Sequence, residues 1–223
     1  MSLEVAKLTK KIMLNTNVIE CEFECNVAVI AHPGQYILIE AEGQWRPFSV
    51  AETPGENVLV LVIQLVAGTL SERFFNSLEI GDEVKLQEPR GTLVLPDSNH
   101  LVLAATGTGI VPLYTIASHL LTNDYKHEIT IIFGVRTEDK LFYQHKLQQL
   151  AEAYPNCHVV ITVSRPSREW TGTQGRVSDY IYDHVDQLKD REFYLCGRKE
   201  TVASLVQMLE ESDIPSSKIN FIE

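Results

Sequence analysis

Between residue 5 and about residue 95 the apolar positions fall in short runs separated by turn residues, with period-two alternation at 20–29, a run at 36–40 and an apolar stretch at 58–66. That texture predicts strands. Pro33-Gly34, Pro54-Gly55, Gly81-Asp82 and Pro89-Arg90-Gly91 are expected as turns, and one helix, 71–78, interrupts the strands with Ser71 as its N-cap. Many strands and few helices suggest a small barrel.

After Pro96-Asp97 apolar strands alternate with helices. Strands are predicted at 101–105, 129–134, 158–163 and 192–196, and helices at 111–121, 139–153, 177–184 and 200–211. Strands apolar on both faces between helices mark a parallel, doubly wound sheet, which puts a domain boundary near 96–100. Residues 101–121 contain no Lys, Arg, Asp or Glu, as a membrane span would. Gly107, Gly109 and Pro112 interrupt the run, so a buried strand, a glycine turn and an apolar helix face explain it better, and no span is expected.

With 223 residues, 44% hydrophobic and 22% charged, the chain suffices for two modest cores. Its net charge of −11 argues against nucleic acid or an anionic membrane surface as main partner. Cys21, Cys25, Cys157 and Cys196 lack metal-finger or iron–sulfur spacing and read as buried, reduced thiols. The seven histidines show no paired ligand spacing, so no metal is expected. The first residues lack the features of a signal peptide, and a cytoplasmic location is expected. The acidic stretches 186–192 and 210–213 read as solvated helix ends or turns.

Three segments carry candidate chemistry. Thr106-Gly107-Thr108-Gly109-Ile110-Val111-Pro112 follows a predicted strand and opens a helix, where unpaired N–H groups and the helix dipole suit a pyrophosphate. The two glycines are expected to allow close backbone approach, and Pro112 suits the first helical turn. Pro112 also stands where a full G-x-G-x-x-G pattern has its third glycine, so the loop alone is equally a tight turn. Arg46-Pro47-Phe48-Ser49 offers a phosphate contact, an aromatic face and a hydroxyl along one extended segment. Gly68-Thr69-Leu70-Ser71 precedes the barrel helix.

In order and spacing, these segments together with Gly81-Asp82, Pro89-Arg90-Gly91, Gly134-Val135-Arg136 and Tyr194-Leu195-Cys196-Gly197 resemble the ferredoxin–NADP reductase family over nearly the whole chain. Pro33-Gly34-Gln35-Tyr36 and Arg46-Pro47-Phe48-Ser49 are most similar to its NAD(P)H:flavin oxidoreductases and oxygenase reductase components. The resemblance implies a six-stranded antiparallel Greek-key FAD-binding barrel, residues 1–97, followed by a doubly wound parallel-sheet NAD(P)-binding α/β domain, residues 98–223. It implies an enzyme that takes hydride from NAD(P)H onto bound FAD and passes electrons to an acceptor. Free flavin, a quinone, a ferredoxin, a flavodoxin or an oxygenase would serve. A reductase subunit feeding a separate protein and a non-catalytic flavin-binding module are the rival readings.

By the same resemblance, Arg46 contacts the flavin phosphate, Phe48 lies against the isoalloxazine in place of the usual tyrosine, and Ser49 lies near flavin N5. Pro47 completes that segment. Val62, Ile63 and Gln64 match the strand along the ribityl side. Gly68, Thr69, Leu70 and Ser71 match a complete pyrophosphate loop, which favours FAD over FMN. Thr106, Gly107, Thr108, Gly109 and Pro112 match the dinucleotide loop, with Arg136 following the next strand. Cys196 and Gly197 match the strand end beside the nicotinamide, where the thiol need not be a nucleophile. Cys196-Gly197-Arg198-Lys199-Glu200-Thr201 departs from the usual Cys-Gly-Pro-Pro-x-Met. Ser164, Arg165 and Arg176 resemble a ribose 2′-phosphate site and favour NADPH over NADH. Relatives end in an aromatic that covers the flavin; here the end is Phe221-Ile222-Glu223.

Overall fold

A computed structural model describes residues 4–91, 95 and 99–222. It divides into two compact units, Met1–Val94 and Leu95–Glu223. The turn expected at Pro96-Asp97, the boundary placed there and Glu223 lie outside the described residues.

The first unit contains β1 (Glu4–Met13), β2 (Val18–Cys25), β3 (Tyr36–Ala41), β4 (Gln44–Gly55), β5 (Val58–Gln64), α1 (Leu70–Ser77) and β6 (Glu83–Leu86). The strands close into an antiparallel barrel in the order β1-β2-β5-β4-β3-β6. Alternation builds it: in β2, Ile19, Cys21, Phe23 and Cys25 point into the core, and Glu20, Glu22 and Glu24 point away. β1 pairs with both β2 and β6, and the single bridge Ile39↔Leu86 joins β3 to β6. The β3–β4 hairpin turns on Glu42 and Gly43, both at positive φ (49° and 77°), as a two-residue hairpin loop demands. Phe75 of α1 is fully buried in the barrel core.

Three expectations shift here. The Pro54-Gly55 turn falls inside β4, and the chain turns at Glu56-Asn57, because Gly55 still pairs with Val58. Pro89-Arg90-Gly91 is not a free turn, since Arg90 exchanges both backbone hydrogen bonds with Tyr36. Helix α1 is capped by Thr69, whose side chain accepts from the Glu72 N–H, and Ser71 lies inside the helix.

The second unit contains β7 (His100–Thr106), α2 (Ile110–Thr122), β8 (Ile129–Val135), α3 (Gln144–Ala153), β9 (Cys157–Val163), β10 (Thr173–Gln174), α4 (Val177–His184), β11 (Arg191–Cys196), α5 (Lys199–Glu211) and β12 (Ile219–Ile222). All strand pairs are parallel, in the order β10-β9-β8-β7-β11-β12. The chain steps from β7 outward to β10, then crosses to the other side of β7 for β11 and β12. The strand order therefore reverses between β7 and β11.

The uncharged stretch 101–121 resolves into buried β7 and the core-facing side of α2, including Ile110, Val111, Leu113, Ile116, Ala117 and Leu120. No helix among the described residues is long and apolar enough to cross a membrane. The helix expected from residue 139 begins at Gln144. Residues Glu138–Lys140 form a separate 3-10 turn, and Tyr143 at φ 60° breaks the path between them. Glu192 is no solvated turn: half-buried in β11, it accepts hydrogen bonds from Asn99 (3.0 Å), the Tyr194 hydroxyl (3.0 Å) and Asn220 (2.9 Å).

Candidate functional site

Open parallel sheets bind ligands outside the carboxyl ends of the strands, where the strand order reverses. That point here is the end of β7 and β11, brought level by the pair Ala105↔Cys196. β7 ends at Thr106, Gly107–Gly109 make one 3-10 turn, and α2 starts at Ile110. No side chain caps either the turn or the helix. The Thr106 hydroxyl is buried without a hydrogen-bond partner. A helix start without a side-chain cap and an orphaned buried hydroxyl are what an anionic pyrophosphate would satisfy, so these residues fit a dinucleotide.

The two glycines differ in purpose. Gly107 has φ 56°, a left-handed conformation that favours glycine. Gly109 has ordinary helical angles, φ −60° and ψ −15°, yet a Cβ there would lie 2.5 Å from the Cys196 carbonyl carbon and oxygen and 2.7 Å from the Gly197 nitrogen. Gly197, at φ 150°, is the reciprocal case, because a Cβ on it would strike the Thr106 hydroxyl. The structure gives Gly109 a role besides the expected one: it lets the loop seat on the end of β11. Cys196 is 9% exposed, and burial pushes its thiol up to about 12, so it stays protonated and is no nucleophile at neutral pH.

Arg136, Ser164, Arg165 and Arg176 are exposed and follow the carboxyl ends of β8, β9 and β10. The Arg165 N–H donates to the Arg136 carbonyl at 2.8 Å, which joins the first two loops. Glu138 Oε1 accepts from the Ser167 N–H at 2.7 Å. Its carboxyl is held below the usual range by its own backbone N–H and then by Ser167. The Arg176 N–H donates to Asp179 Oδ2 at 2.9 Å, which fixes the backbone at the start of α4. The arrangement offers guanidinium groups along one margin of the sheet, suited to a phosphate dianion.

In the barrel, strand alternation divides Arg46-Pro47-Phe48-Ser49 between two faces. Arg46 and Phe48 pair with Ile39 and Ile37, both core residues, whereas Ser49 pairs with Tyr36. The half-buried Phe48 ring packs edge-to-face on Phe75 at 5.0 Å, which anchors it against the barrel core. Tyr36 is the aromatic that shares the face of Ser49, and register alone would have revealed it. Arg46 is exposed and donates to Gln44 Oε1 at 2.6 Å. Val62 and Ile63 are buried at 5% and 2%, Ile63 in the barrel core, so of that strand segment Gln64 alone offers a half-buried polar side chain.

The Gly68-Thr69-Leu70-Ser71 loop is open above Gly68, which has φ 79° and no atom within 4 Å of where a Cβ would stand. It is not, however, an empty donor set. Glu72 Oε2 accepts from the Gly68 N–H at 2.6 Å, and Thr69 Oγ1 accepts from the Glu72 N–H at 3.2 Å. The signal was legible as Thr69-Leu70-Ser71-Glu72, the S/T-x-x-E pattern of a capped helix start.

Residues 103–207 match the oxidoreductase NAD-binding domain family. The chain is 31% identical to protein RfbI of Salmonella typhimurium over 167 residues, covering 74% of this chain and 50% of RfbI, so it spans about half the length of that relative. It is 28% identical to a probable flavin reductase of Photobacterium leiognathi, covering 74% of this chain and 73% of the reductase. Among solved structures, the cytochrome P450 reductase GcoB of Amycolatopsis superposes with a TM-score of 0.91 at 23% identity, over 100% of this chain and 69% of GcoB. A ferredoxin NADP+ reductase of Neisseria gonorrhoeae, with bound FAD and NADP, gives 0.87 at 19% identity, over 99% and 98% of the two chains. A closed six-stranded barrel in one unit and a parallel sheet with a glycine turn at its switch point in the other are the fold shared with these solved structures, and residues 103–207 of the chain form an oxidoreductase NAD-binding domain.

Proposed function

We propose that this chain is a flavoprotein reductase that oxidises NAD(P)H, with NADPH favoured, and delivers the electrons through FAD to an acceptor. The observation that carries the reading is the uncapped start of α2 beside the orphaned Thr106 hydroxyl, at the switch point of a parallel sheet. Bound FAD would supply a ring that accepts two electrons from the nicotinamide and releases them singly or together. The chain's own residues bind and orient.

Thr106, Gly107, Thr108 and Gly109 would hold the dinucleotide pyrophosphate by backbone N–H groups and the hydroxyl, with the α2 dipole favouring its charge. Arg136, Arg165 and Arg176, with Ser164, would hold the ribose 2′-phosphate. Cys196 and Gly197 would border the nicotinamide, the neutral thiol acting as a packing surface. In the barrel, Arg46 would pair with the flavin phosphate, and Ser49 with Tyr36 would line the reacting edge of the ring. The work of such residues is to hold donor and acceptor atoms in a near-attack geometry.

Electrons would leave to free flavin, a quinone, a ferredoxin, a flavodoxin or an oxygenase, and a cytoplasmic location fits that traffic. Likeness to the Photobacterium flavin reductase supports free flavin as acceptor, and likeness to GcoB supports a separate protein. Anaerobic stopped-flow mixing of the flavin-loaded protein with NADPH or NADH tests the reading. Bleaching of flavin absorbance near 450 nm is expected, faster with NADPH, as roughly tenfold discrimination by two or three arginines implies. Failure of both nicotinamides to bleach the flavin refutes it. Mixing the reduced protein with each acceptor class then identifies the exit.

A further inference from the structure

The start of α1 carries an anion of its own. Glu72 Oε2 accepts the Gly68 N–H at 2.6 Å, the length of a charge-assisted hydrogen bond, while Thr69 Oγ1 takes the Glu72 N–H at 3.2 Å and donates to the Val66 carbonyl at 2.7 Å. The neighbouring cation is engaged as well: Arg73 reaches Glu42 at 3.3 Å and the Gly68 carbonyl at 3.4 Å. Two donors of this loop, the Gly68 and Thr69 N–H groups, and the neighbouring cation therefore already have partners within the chain.

We propose that Glu72 is a flavin-specificity residue: its carboxylate stands in for the pyrophosphate of FAD at Gly68–Ser71, so FAD must displace it, whereas riboflavin and FMN need not. The inference rests on the flavin reading above and adds the residue that discriminates among flavins. A second negative group at Gly68 must break the 2.6 Å bond or face the carboxylate at short range, and both oppose binding. An exposed loop screens part of that repulsion, so the penalty on FAD is roughly tenfold, the lower end for a hydrogen bond to a charged group. FMN ends at the phosphate assigned to Arg46 and escapes it.

A plain helix cap would behave differently. Loss of a cap loosens α1 and with it Phe75 in the barrel core, which weakens every flavin alike. Glu72→Gln separates the two roles, because its amide oxygen still accepts the Gly68 N–H without the charge.

The full chain, freed of flavin, is titrated with riboflavin, FMN and FAD by flavin fluorescence quenching, for the wild type, Glu72→Gln and Glu72→Ala, with Tm as a folding check. In Glu72→Gln, FAD is expected to tighten about tenfold relative to riboflavin, with FMN following riboflavin and Tm kept. Glu72→Ala is expected to raise the same ratio even as Tm falls. A FAD-to-riboflavin ratio unmoved in both variants overturns the role of Glu72 and leaves the flavin reading standing. Failure of the wild type to bind any of the three flavins overturns both.

Discussion

Replacing Gly109 by alanine is a sharp test of how the dinucleotide loop is built. The backbone there is already helical, at φ −60° and ψ −15°, so alanine costs nothing conformationally, and helix propensity alone would favour it by up to about 1 kcal/mol. Sterics run the other way. The new Cβ would lie 2.5 Å from the Cys196 carbonyl carbon and oxygen and 2.7 Å from the Gly197 nitrogen, about 0.8–1.5 Å inside the preferred separation of 3.5–4.0 Å. All three neighbours are backbone atoms of a central strand end, so no rotamer change relieves the clash. Overpacking of this kind costs about 1–3 kcal/mol, and backbone neighbours place Gly109→Ala in the upper half of that range. For a protein of this size about 2–3 kcal/mol lowers Tm by roughly 4–12 °C. The assay is calorimetry of wild type, Gly109→Ala and the control Gly55→Ala, whose Cβ would meet Val58 at an ordinary 3.5 Å. Dinucleotide affinity, by titration calorimetry, is expected to fall with Tm in Gly109→Ala only. A Gly109→Ala protein within about 1 °C of wild type and with unchanged affinity refutes the steric reasoning.

Four further outcomes are expected. Burial pushes the thiols of Cys21 and Cys196 to about 12 and those of Cys25 and Cys157 to about 11, from 9.0. Because the unfolded chain ionises first, the stability this gives is whole below pH 9 and is lost as pH rises toward 11–12. At pH 10 each thiol removes about 1.4 kcal/mol, so Tm should drop steeply between pH 8.5 and 10.5, and a flat profile contradicts the burial. At pH 8 a thiol reagent should label the folded protein far more slowly than the urea-unfolded one; rapid native labelling of four thiols would count against it. Arg165→Ala should weaken NADPH about tenfold to a hundredfold and leave NADH nearly unchanged, read as KM for each; equal effects on both remove Arg165 from the 2′-phosphate site. Ser49→Ala should slow anaerobic flavin reduction by at least about tenfold at unchanged flavin affinity, a few-fold loss contradicting its place at the reacting edge.

Parallel strands were readable because burial on both faces leaves an unmistakable run, as in Leu101-Val102-Leu103-Ala104-Ala105, and α4 because its apolar positions Val177 and Ile181 recur at helical spacing. What escaped was set by tertiary context. β10 is two residues long and owes its existence to β9, and β12 forms because β11 offers an edge. Tyr143 takes φ 60° without glycine and truncates a helix that propensity would have carried back to Asp139. Arg46-Pro47-Phe48-Ser49 reads as one surface in sequence, although a strand sends Phe48 to the core and Ser49 outward, a point that the partner strand makes visible. The dinucleotide loop was legible in its glycines but not in their division of labour, because Gly109 answers to a strand far along the chain. Phe221 lies on β12 at 55% exposure.

The seating of Gly109 on Cys196 and Gly197 also bears on biosynthesis. The glycine turn leaves the ribosome long before the strand end that shapes it, and β11 must add to the open edge of β7 after β8, β9 and β10 have been made. Pairings so distant in sequence form slowly, so a nascent chain halted before β11 holds the turn's residues without its form. On the reading proposed above, nucleotide capture would thus arrive late in synthesis, once β11 is in place.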